Sequence, residues 1–108
     1  MSLTTQQYHQ LLDDLYTSIE DQLDASELDV DIDNNGNLLT IELEDGSQLI
    51  LSRQEPLHQL WLAARSGGYH FNYDQQQDLW LCDNSGDSLQ QILSQQLSQH
   101  SDSTITLL

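Results

Sequence analysis

The sequence predicts an α+β domain in which a first and a last helix pack on one face of an antiparallel sheet of about six strands. Near each end of the 108-residue chain, apolar residues recur at three- and four-residue steps, as on one face of a helix. Between these segments, apolar and polar residues alternate in short runs separated by turn signals, as in strands with one buried face. A chain of this length suits one domain with a modest core.

The first helix is predicted to run from about residue 4 or 5 to about Asp24. Its apolar stripe consists of Tyr8, Leu11, Leu12, Leu15, Ile19 and Leu23. At about 100° per residue, a set of acids falls opposite or beside that stripe. These acids are Asp13, Asp14, Glu20, Asp21 and Asp24. The helix therefore has one apolar face and one carboxylate face.

The first three strands follow this helix. The run "LDVDID" alternates apolar and acidic residues, so its valine and isoleucine are predicted to point to the core and its aspartates outward. The letters "NNG" indicate a turn into "NLLTIELE", where Leu39, Ile41 and Leu43 share one side. Asp45 and Gly46 then predict a two-residue hairpin into the third strand, "SQLILSR".

The second half of the chain supplies three more strands and the last helix. Pro56 predicts a break before a fourth strand at about residues 57–64. The letters "SGG" turn the chain into "YHFNYD", and "DLWLCD" is the sixth strand. Asp87 is predicted to cap the last helix, with Gln90 three residues on. The buried stripe of that helix is Leu89, Ile92, Leu93 and Leu97. The tail, residues 101–108, is expected either to be disordered or to cover the groove between the helices.

The charge of the chain excludes some partners and favours others. Eighteen acids stand against two arginines and no lysine, for a formal net charge of -16. Nothing in such a chain neutralises phosphates, so nucleic acid is excluded, and an anionic membrane surface is equally disfavoured. Cations and basic protein surfaces are the predicted partners.

Several features predict a cytoplasmic protein. No apolar run approaches the roughly 20 residues of a membrane-spanning helix, and the first residues do not resemble a signal peptide. The single cysteine, Cys82, has no partner for an internal disulfide, which agrees with a reducing compartment. Because it stands in the apolar run "LWLCD", we expect a buried, inert thiol.

Seven acids within fifteen residues form what we call the acidic ridge. They are Glu20, Asp21, Asp24, Glu27, Asp29, Asp31 and Asp33. At about 7 Å in water each pair of like charges costs roughly 0.6 kcal/mol, and no lysine offsets the repulsion. The ridge therefore predicts a place where cations collect. Because the ligands are carboxylate oxygens on an open surface, we expect weak binding with little selectivity. Iron, calcium, magnesium and manganese are all chemically compatible with such ligands. His9 could add a nitrogen ligand, although a solvated surface histidine is the simpler interpretation.

Residues 31–42, "DIDNNGNLLTIE", match the calcium-loop pattern D-x-[DN]-x-[DN]-G-x5-E. A calcium loop of the EF-hand type must be followed by a helix, whereas Glu42 is followed by "LEDGSQLIL". Alternation on both sides of Gly36 instead predicts a hairpin, with Gly36 at positive φ. Calcium binding at 31–42 remains a minor alternative.

Trp61 has two possible positions. If Leu60 and Leu62 point to the core, Trp61 lies on the bare face of the sheet, where an exposed tryptophan is typical of a binding surface. If the register is shifted by one residue, Trp61 is part of the core instead.

The segments "RQEPLHQLWLA", "SGGYHF" and "LWLCD" resemble the frataxin family, specifically its bacterial CyaY-type members. The similarity extends over almost the whole chain. It implies an α-β-α sandwich with a nearly flat sheet. It also implies iron binding by the carboxylates of the first helix and first strand. The implied partners are the cysteine desulfurase and the scaffold of iron–sulfur cluster assembly, with the protein acting as regulator or iron supplier.

By position, the resemblance places six residues of the acidic ridge at the iron-binding carboxylates: Glu20, Asp21, Asp24, Asp29, Asp31 and Asp33. It places Arg53, Gln54 and Trp61 on the sheet surface used for partner contact, and it identifies Trp80 as the family's buried tryptophan. The chain departs from the family at Ser52, where relatives often have asparagine. It also lacks most of the basic residues of its relatives, which makes its surface more acidic than the family requires.

The resulting hypothesis is an adaptor that binds ferrous or ferric iron weakly, is monomeric without metal, and has no dedicated catalytic centre. One alternative is ferroxidase or iron-storage activity, since ferroxidase activity has been attributed to the family. Neither of the two predicted helices has a Glu-x-x-His motif of the di-iron type. Another alternative is an acidic decoy for basic partners, in which metal binding is incidental.

Overall fold

The computed structural model describes residues 3–26, 29–99 and 107. The chain begins with helix α1 (Thr5–Ala25) and ends with helix α2 (Leu89–Gln99). Between them lie strands β1 (Asp31–Asn34), β2 (Leu38–Glu42), β3 (Gln48–Gln54), β4 (Gln59–Ala64), β5 (Gly67–Asp74) and β6 (Leu79–Cys82). The predicted α+β class and the helix–strands–helix order are confirmed.

The six strands form one antiparallel sheet in the order β1-β2-β3-β4-β5-β6, so each strand pairs with its neighbour in the sequence. Ile41 lies opposite Leu49, and Leu51 opposite Leu62. All four side chains are buried and share one face of the sheet. The strands β1 and β6 are the two edges.

Both helices cover this apolar face. The buried residues of α1 are Tyr8, Leu12, Tyr16, Ile19 and Leu23. The buried residues of α2 are Leu89, Ile92, Leu93, Gln96 and Leu97. Leu107 lies in the groove between the helices and is 6% exposed, and its N–H donates to Ser94 Oγ at 2.8 Å. The remainder of the tail, 101–106 and 108, lies outside the described residues.

The two helices begin with the same kind of cap. Thr4 Oγ1 accepts from the Gln7 N–H at 3.1 Å, and Gln7 Oε1 accepts from the Thr4 N–H at 3.0 Å. At α2, Ser88 Oγ accepts from the Gln91 N–H at 3.2 Å, and Gln91 Oε1 accepts from the Ser88 N–H at 2.8 Å.

The prediction that Asp87 caps α2 is therefore wrong. The carbonyl oxygen of Asp87 accepts from the Cys82 N–H at 2.8 Å. This bond holds Asp87 against the edge of the sheet, and the helix begins after Ser88 instead.

Two connections also differ from prediction. The loop from β2 to β3 has five residues, 43–47, instead of two, and within it the Leu43 N–H donates to the Ser47 carbonyl oxygen at 2.8 Å. Gly46 closes this loop at φ 85°. Strand β4 begins at Gln59 instead of residue 57, because Glu55–Leu57 form a 3-10 turn that ends at His58 with φ 49°.

Candidate functional site

Residues 31–42 form a β-hairpin, and the EF-hand alternative is wrong. The Asn35 N–H donates to the Leu38 carbonyl oxygen at 3.1 Å across the turn, and Gly36 has φ 90°. Glu42 is the last residue of β2 and lies directly opposite Asp31. The chain then turns into β3, so the helix that an EF-hand requires is replaced by a strand.

The strand part of the acidic ridge lies on the face of the sheet that the helices leave bare. Ile32 is opposite Ile41 and belongs to the core side, so its neighbours Asp31 and Asp33 point the other way and are exposed. Asp31 and Glu42 are a directly opposed pair of like charges, which destabilises the hairpin.

Glu42 thus belongs with the strand carboxylates, although the sequence prediction left it out of the ridge. The predicted turn at residues 34–36 did not indicate this pairing, because Asp31 lies four residues before Asn35 and Glu42 seven residues after it. The observed turn is centred between Gly36 and Asn37. Antiparallel pairing around that turn places the two residues side by side.

The helix part of the ridge lies at the C-terminal end of α1. Asp21 and Asp24 are exposed, whereas Glu20 is half-buried and accepts from Asn34 Nδ2 at 2.6 Å. This bond ties the helix to the end of β1. The last turn of α1 contains no basic residue, so carboxylates lie near the negative end of the helix dipole without compensation.

The acidic ridge therefore has two parts, one on α1 and one on the bare sheet face, joined at the edge strand β1. Asp29 is exposed just before that strand, and Glu27 lies outside the described residues. Within residues 3–26, 29–99 and 107, no three His, Cys, Asp or Glu side chains converge as metal ligands. Carboxylates spread in this way could hold a cation through one or two oxygens, with water in the remaining positions.

Arg53 lies on the helix side of the sheet, so its predicted position on the sheet surface is wrong. It continues the alternation of Leu49 and Leu51, and its side chain is only 8% exposed. Its Nη2 donates to Asp13 Oδ1, and its guanidinium lies 5.1 Å from the ring centroid of Tyr16. Arg53 therefore fixes α1 to β3, and it pairs with Asp13, a helix carboxylate that lies outside the ridge.

His9 belongs to the same contact. Its Nδ1 lies 2.8 Å from Arg53 Nη1, and its Nε2 lies 3.2 Å from Glu55 Oε1. Because both ring nitrogens are engaged there, the structure does not bring His9 to the ridge as a nitrogen ligand.

Tyr16 connects α1 to the hairpin. Its hydroxyl donates to the carbonyl oxygen of Asn37 at 3.1 Å and lies 3.4 Å from that of Leu51. Burial raises the pKa of Tyr16 to about 12, although the nearby Arg53 guanidinium opposes the rise. The phenol is therefore neutral and works as a hydrogen-bond donor.

Trp61 lies on the bare face of the sheet, so the first of its two predicted positions is correct and the core position is wrong. Leu60 and Leu62 on either side are at most 1% exposed, and the half-buried Trp61 ring stacks on His70 with centroids 4.2 Å apart. The indole N–H donates to Gln59 Oε1 at 2.9 Å. Gln54 lies on the same face, opposite Gln59.

Partner contact by Trp61 and Gln54 stays a prediction. Trp80 and Cys82, in contrast, are buried as predicted, at 3% and 4% exposure.

These features define an α+β sandwich in which two helices cover one face of an antiparallel meander, with an acidic edge and a tryptophan on the uncovered face. Residues 1–103 match the frataxin-like domain family, and the chain belongs to this family. The resemblance seen in the sequence is thereby confirmed.

Several relatives are similar over most of their length. The iron–sulfur cluster assembly protein CyaY of Azotobacter vinelandii is 57% identical over 94 residues, which cover 87% of this chain and 86% of that protein. CyaY of Pseudomonas syringae pv. tomato is 53% identical over the same shares of the two chains. The solved structure of frataxin from Psychromonas ingrahamii has a TM-score of 0.90 and 40% identity, and the match covers 96% of this chain and 97% of that one.

Neither of the two described α-helices is long and apolar enough to cross a membrane.

Proposed function

We propose that this protein is an iron-binding adaptor of iron–sulfur cluster assembly, which binds ferrous or ferric iron on the acidic ridge and docks on the cysteine desulfurase and its scaffold. The observation that carries the proposal is the arrangement of exposed carboxylates on both sides of β1, of which Asp31 directly opposes Glu42. Family membership and the names of the CyaY relatives support the pathway. The proposed location is the cytoplasm.

Iron is favoured at the ridge by charge and by ligand chemistry. Ferrous and ferric ions accept carboxylate oxygens, and a cation placed among like charges relieves their repulsion. Since no three-ligand cluster is built among the described residues, binding is weak and the ion keeps water ligands. Weak binding suits a protein that hands iron on or senses its level.

Docking on a basic partner uses the same carboxylates. The chain has a net charge of -16, so it is attracted to positively charged patches on a partner protein. This long-range attraction raises the rate at which the two proteins associate. Trp61, half-buried against His70 on the uncovered sheet face, is the proposed anchor that becomes desolvated in the complex. Because iron and the partner compete for one set of charges, their binding is thermodynamically linked, and each weakens the other.

Calorimetric titration with ferrous iron under anaerobic conditions tests the metal site. The variant Asp31→Asn/Asp33→Asn is expected to lose much of the iron affinity. The matched control Asp83→Asn/Asp87→Asn removes the same charge from exposed residues beyond β6, at the other edge of the sheet, and is expected to bind like the parent protein. Equal losses in both variants would show that only total charge matters and would refute the ridge as a site.

The same variants separate the alternative functions. Ferroxidase activity predicts faster oxidation of ferrous iron by the parent protein than by Asp31→Asn/Asp33→Asn, measured by stopped-flow absorbance. An acidic decoy, in which metal binding is incidental, predicts that desulfurase binding falls in Asp31→Asn/Asp33→Asn while iron affinity changes equally in the two variants. The adaptor predicts that both iron affinity and desulfurase affinity fall together.

A further inference from the structure

We propose that Asn35, at the tip of the β1–β2 hairpin, is a site of spontaneous deamidation that adds a carboxylate to the acidic ridge. The modification itself is independent of the proposed function, whereas its effect on cation binding rests on it. Asn35 is the only asparagine in the sequence that is followed by glycine. It lies in the turn, outside both strands, and is exposed.

The reaction starts from the backbone nitrogen of Gly36. After losing its proton to a solvent base, this nitrogen attacks Cγ of Asn35, and the new N–Cγ bond closes a succinimide ring. The bond between Cγ and the amide nitrogen Nδ2 breaks, and Nδ2 takes a proton from solvent and leaves as ammonia. Water then opens the ring at one of its two carbonyls, which gives aspartate or isoaspartate at position 35. No oxidant or cofactor is required.

Space around the attacking nitrogen favours this step. Gly36 has no side chain beside that nitrogen, and the place where a Cβ would lie is open, with nothing within 4 Å; the residue has φ 90°, which glycine adopts readily. Asn34 Oδ1 accepts from the Gly36 N–H at 2.8 Å, and this bond must open before the proton is lost. Since Asn34 and Gly36 are both exposed, solvent can replace that acceptor.

The hairpin also stabilises the charge that develops during attack. As the Gly36 nitrogen adds to Cγ, negative charge collects on Asn35 Oδ1. That oxygen already accepts from the Asn37 N–H at 3.0 Å and the Leu38 N–H at 2.7 Å. Two backbone donors at these distances are the arrangement that stabilises an oxyanion in acyl transfer.

The aspartate product fits the same turn. A carboxylate at position 35 keeps both backbone donors, and the two bonds become charge-assisted. The isoaspartate product lengthens the backbone by one carbon and disrupts the turn. With aspartate at position 35, carboxylates follow one another at residues 31, 33 and 35 along the hairpin arm. The acidic ridge then extends to the hairpin tip.

Peptide mapping by mass spectrometry tests the modification directly. The folded protein is incubated at mildly alkaline pH, digested under acidic conditions, and the peptides holding Asn35 and Asn84 are compared. Asn84 is exposed but is followed by Ser85, and it serves as an internal control. We expect Asn35 to lose its amide several-fold faster than Asn84, with both product isomers present. If Asn35 keeps its amide in the folded protein but loses it in urea, the fold protects the residue and the proposal is overturned.

A second measurement tests the effect on the ridge. The Asn35→Asp variant is expected to bind ferrous iron several-fold more tightly than the parent protein, whereas Asn37→Asp, with the same charge added one residue past Gly36, is not. Equal affinities for the two variants would overturn the extension of the ridge. If the parent protein binds no iron, the proposed function fails, and the mass measurement still decides whether Asn35 is modified.

Discussion

Arg53 Nη1 donates to Nδ1 of His9 at 2.8 Å, and this contact fixes the tautomer of the neutral imidazole. A guanidinium has no acceptor, so Nδ1 must be the acceptor and the proton of neutral His9 resides on Nε2. Nε2 in turn donates to Glu55 Oε1 at 3.2 Å. Arg53 thereby holds α1 against β3 and sets the tautomer of His9, which in turn contacts Glu55 of the 3-10 turn.

Replacing Arg53 is predicted to destabilise the fold. The Arg53→Met variant keeps much of the aliphatic volume but loses the bonds to His9 and Asp13 and the contact with Tyr16. We expect a loss of about 1–3 kcal/mol in the free energy of unfolding. Urea denaturation measures it. Arg65→Met is the matched control, because Arg65 is exposed, and its effect is expected to stay within about 0.5 kcal/mol. Similar losses in the two variants would contradict the buried role of Arg53.

Tyr16 predicts how stability responds to alkaline pH. Its folded-state pKa is raised to about 12, whereas an unfolded tyrosine titrates near pH 10. The fold therefore favours the neutral phenol, and this contribution is complete below about pH 10 and is lost as pH rises toward about 12. Tyrosinate absorbance of the folded protein should show a late step that Tyr16→Phe removes. A late step that persists in Tyr16→Phe would belong to another tyrosine.

The opposed pair Asp31 and Glu42 predicts a stabilising substitution. Asp31→Asn removes one of two like charges that face each other across β1 and β2. We expect a gain of about 0.2–1 kcal/mol at low salt, and a smaller gain at high salt because of screening. Asp33→Asn is the control of equal charge change, since Asp33 lies opposite Thr40. Thermal unfolding at two salt concentrations distinguishes them, and an equal gain in both variants would point to total charge instead of the pair.

Trp61 predicts where the partner binds. If the uncovered sheet face is the docking surface, Trp61→Ala should weaken binding of the cysteine desulfurase by about tenfold or more, as at other tryptophan hot spots. Leu57→Ala removes an apolar side chain that is 58% exposed on the 3-10 turn, where the neighbouring residues Glu55 and His58 contact α1, and should bind nearly as well as the parent protein. Surface plasmon resonance gives both affinities. Loss of binding in Leu57→Ala alone would place the interface elsewhere.

Hydrophobic periodicity was enough to predict the element order and most of the core. The stripe on α1 and the alternation in β2 specify buried faces directly, so Leu39, Ile41 and Leu43 are buried as predicted. The cap of α2 was missed because the competing bond from Cys82 to Asp87 joins residues that only the folded sheet edge brings together. Local capping preference alone favoured the wrong residue.

The position of Arg53 was wrong for a different reason. The family resemblance placed Arg53 and its neighbour Gln54 on one surface, whereas the alternation of Leu49 and Leu51 continues to Arg53 and places it on the helix side. Only the facing helix shows why burial is tolerated, since His9 and Asp13 accept hydrogen bonds from the two terminal guanidinium nitrogens, Nη1 and Nη2. Trp61 was undecided from alternation alone, because a one-residue shift reverses both faces.

The most direct test of the acidic ridge is an NMR titration of the isotope-labelled protein with ferrous iron under anaerobic conditions. We expect paramagnetic broadening to begin at the amides of Glu20, Asp21, Asp24, Asp31 and Asp33, while Asp83 and Asp87 keep sharp signals. Adding cysteine desulfurase should then restore the broadened ridge signals or displace the iron. Broadening that begins at residues 83–87, or that spreads uniformly over the acids, would contradict the assignment of iron to the ridge.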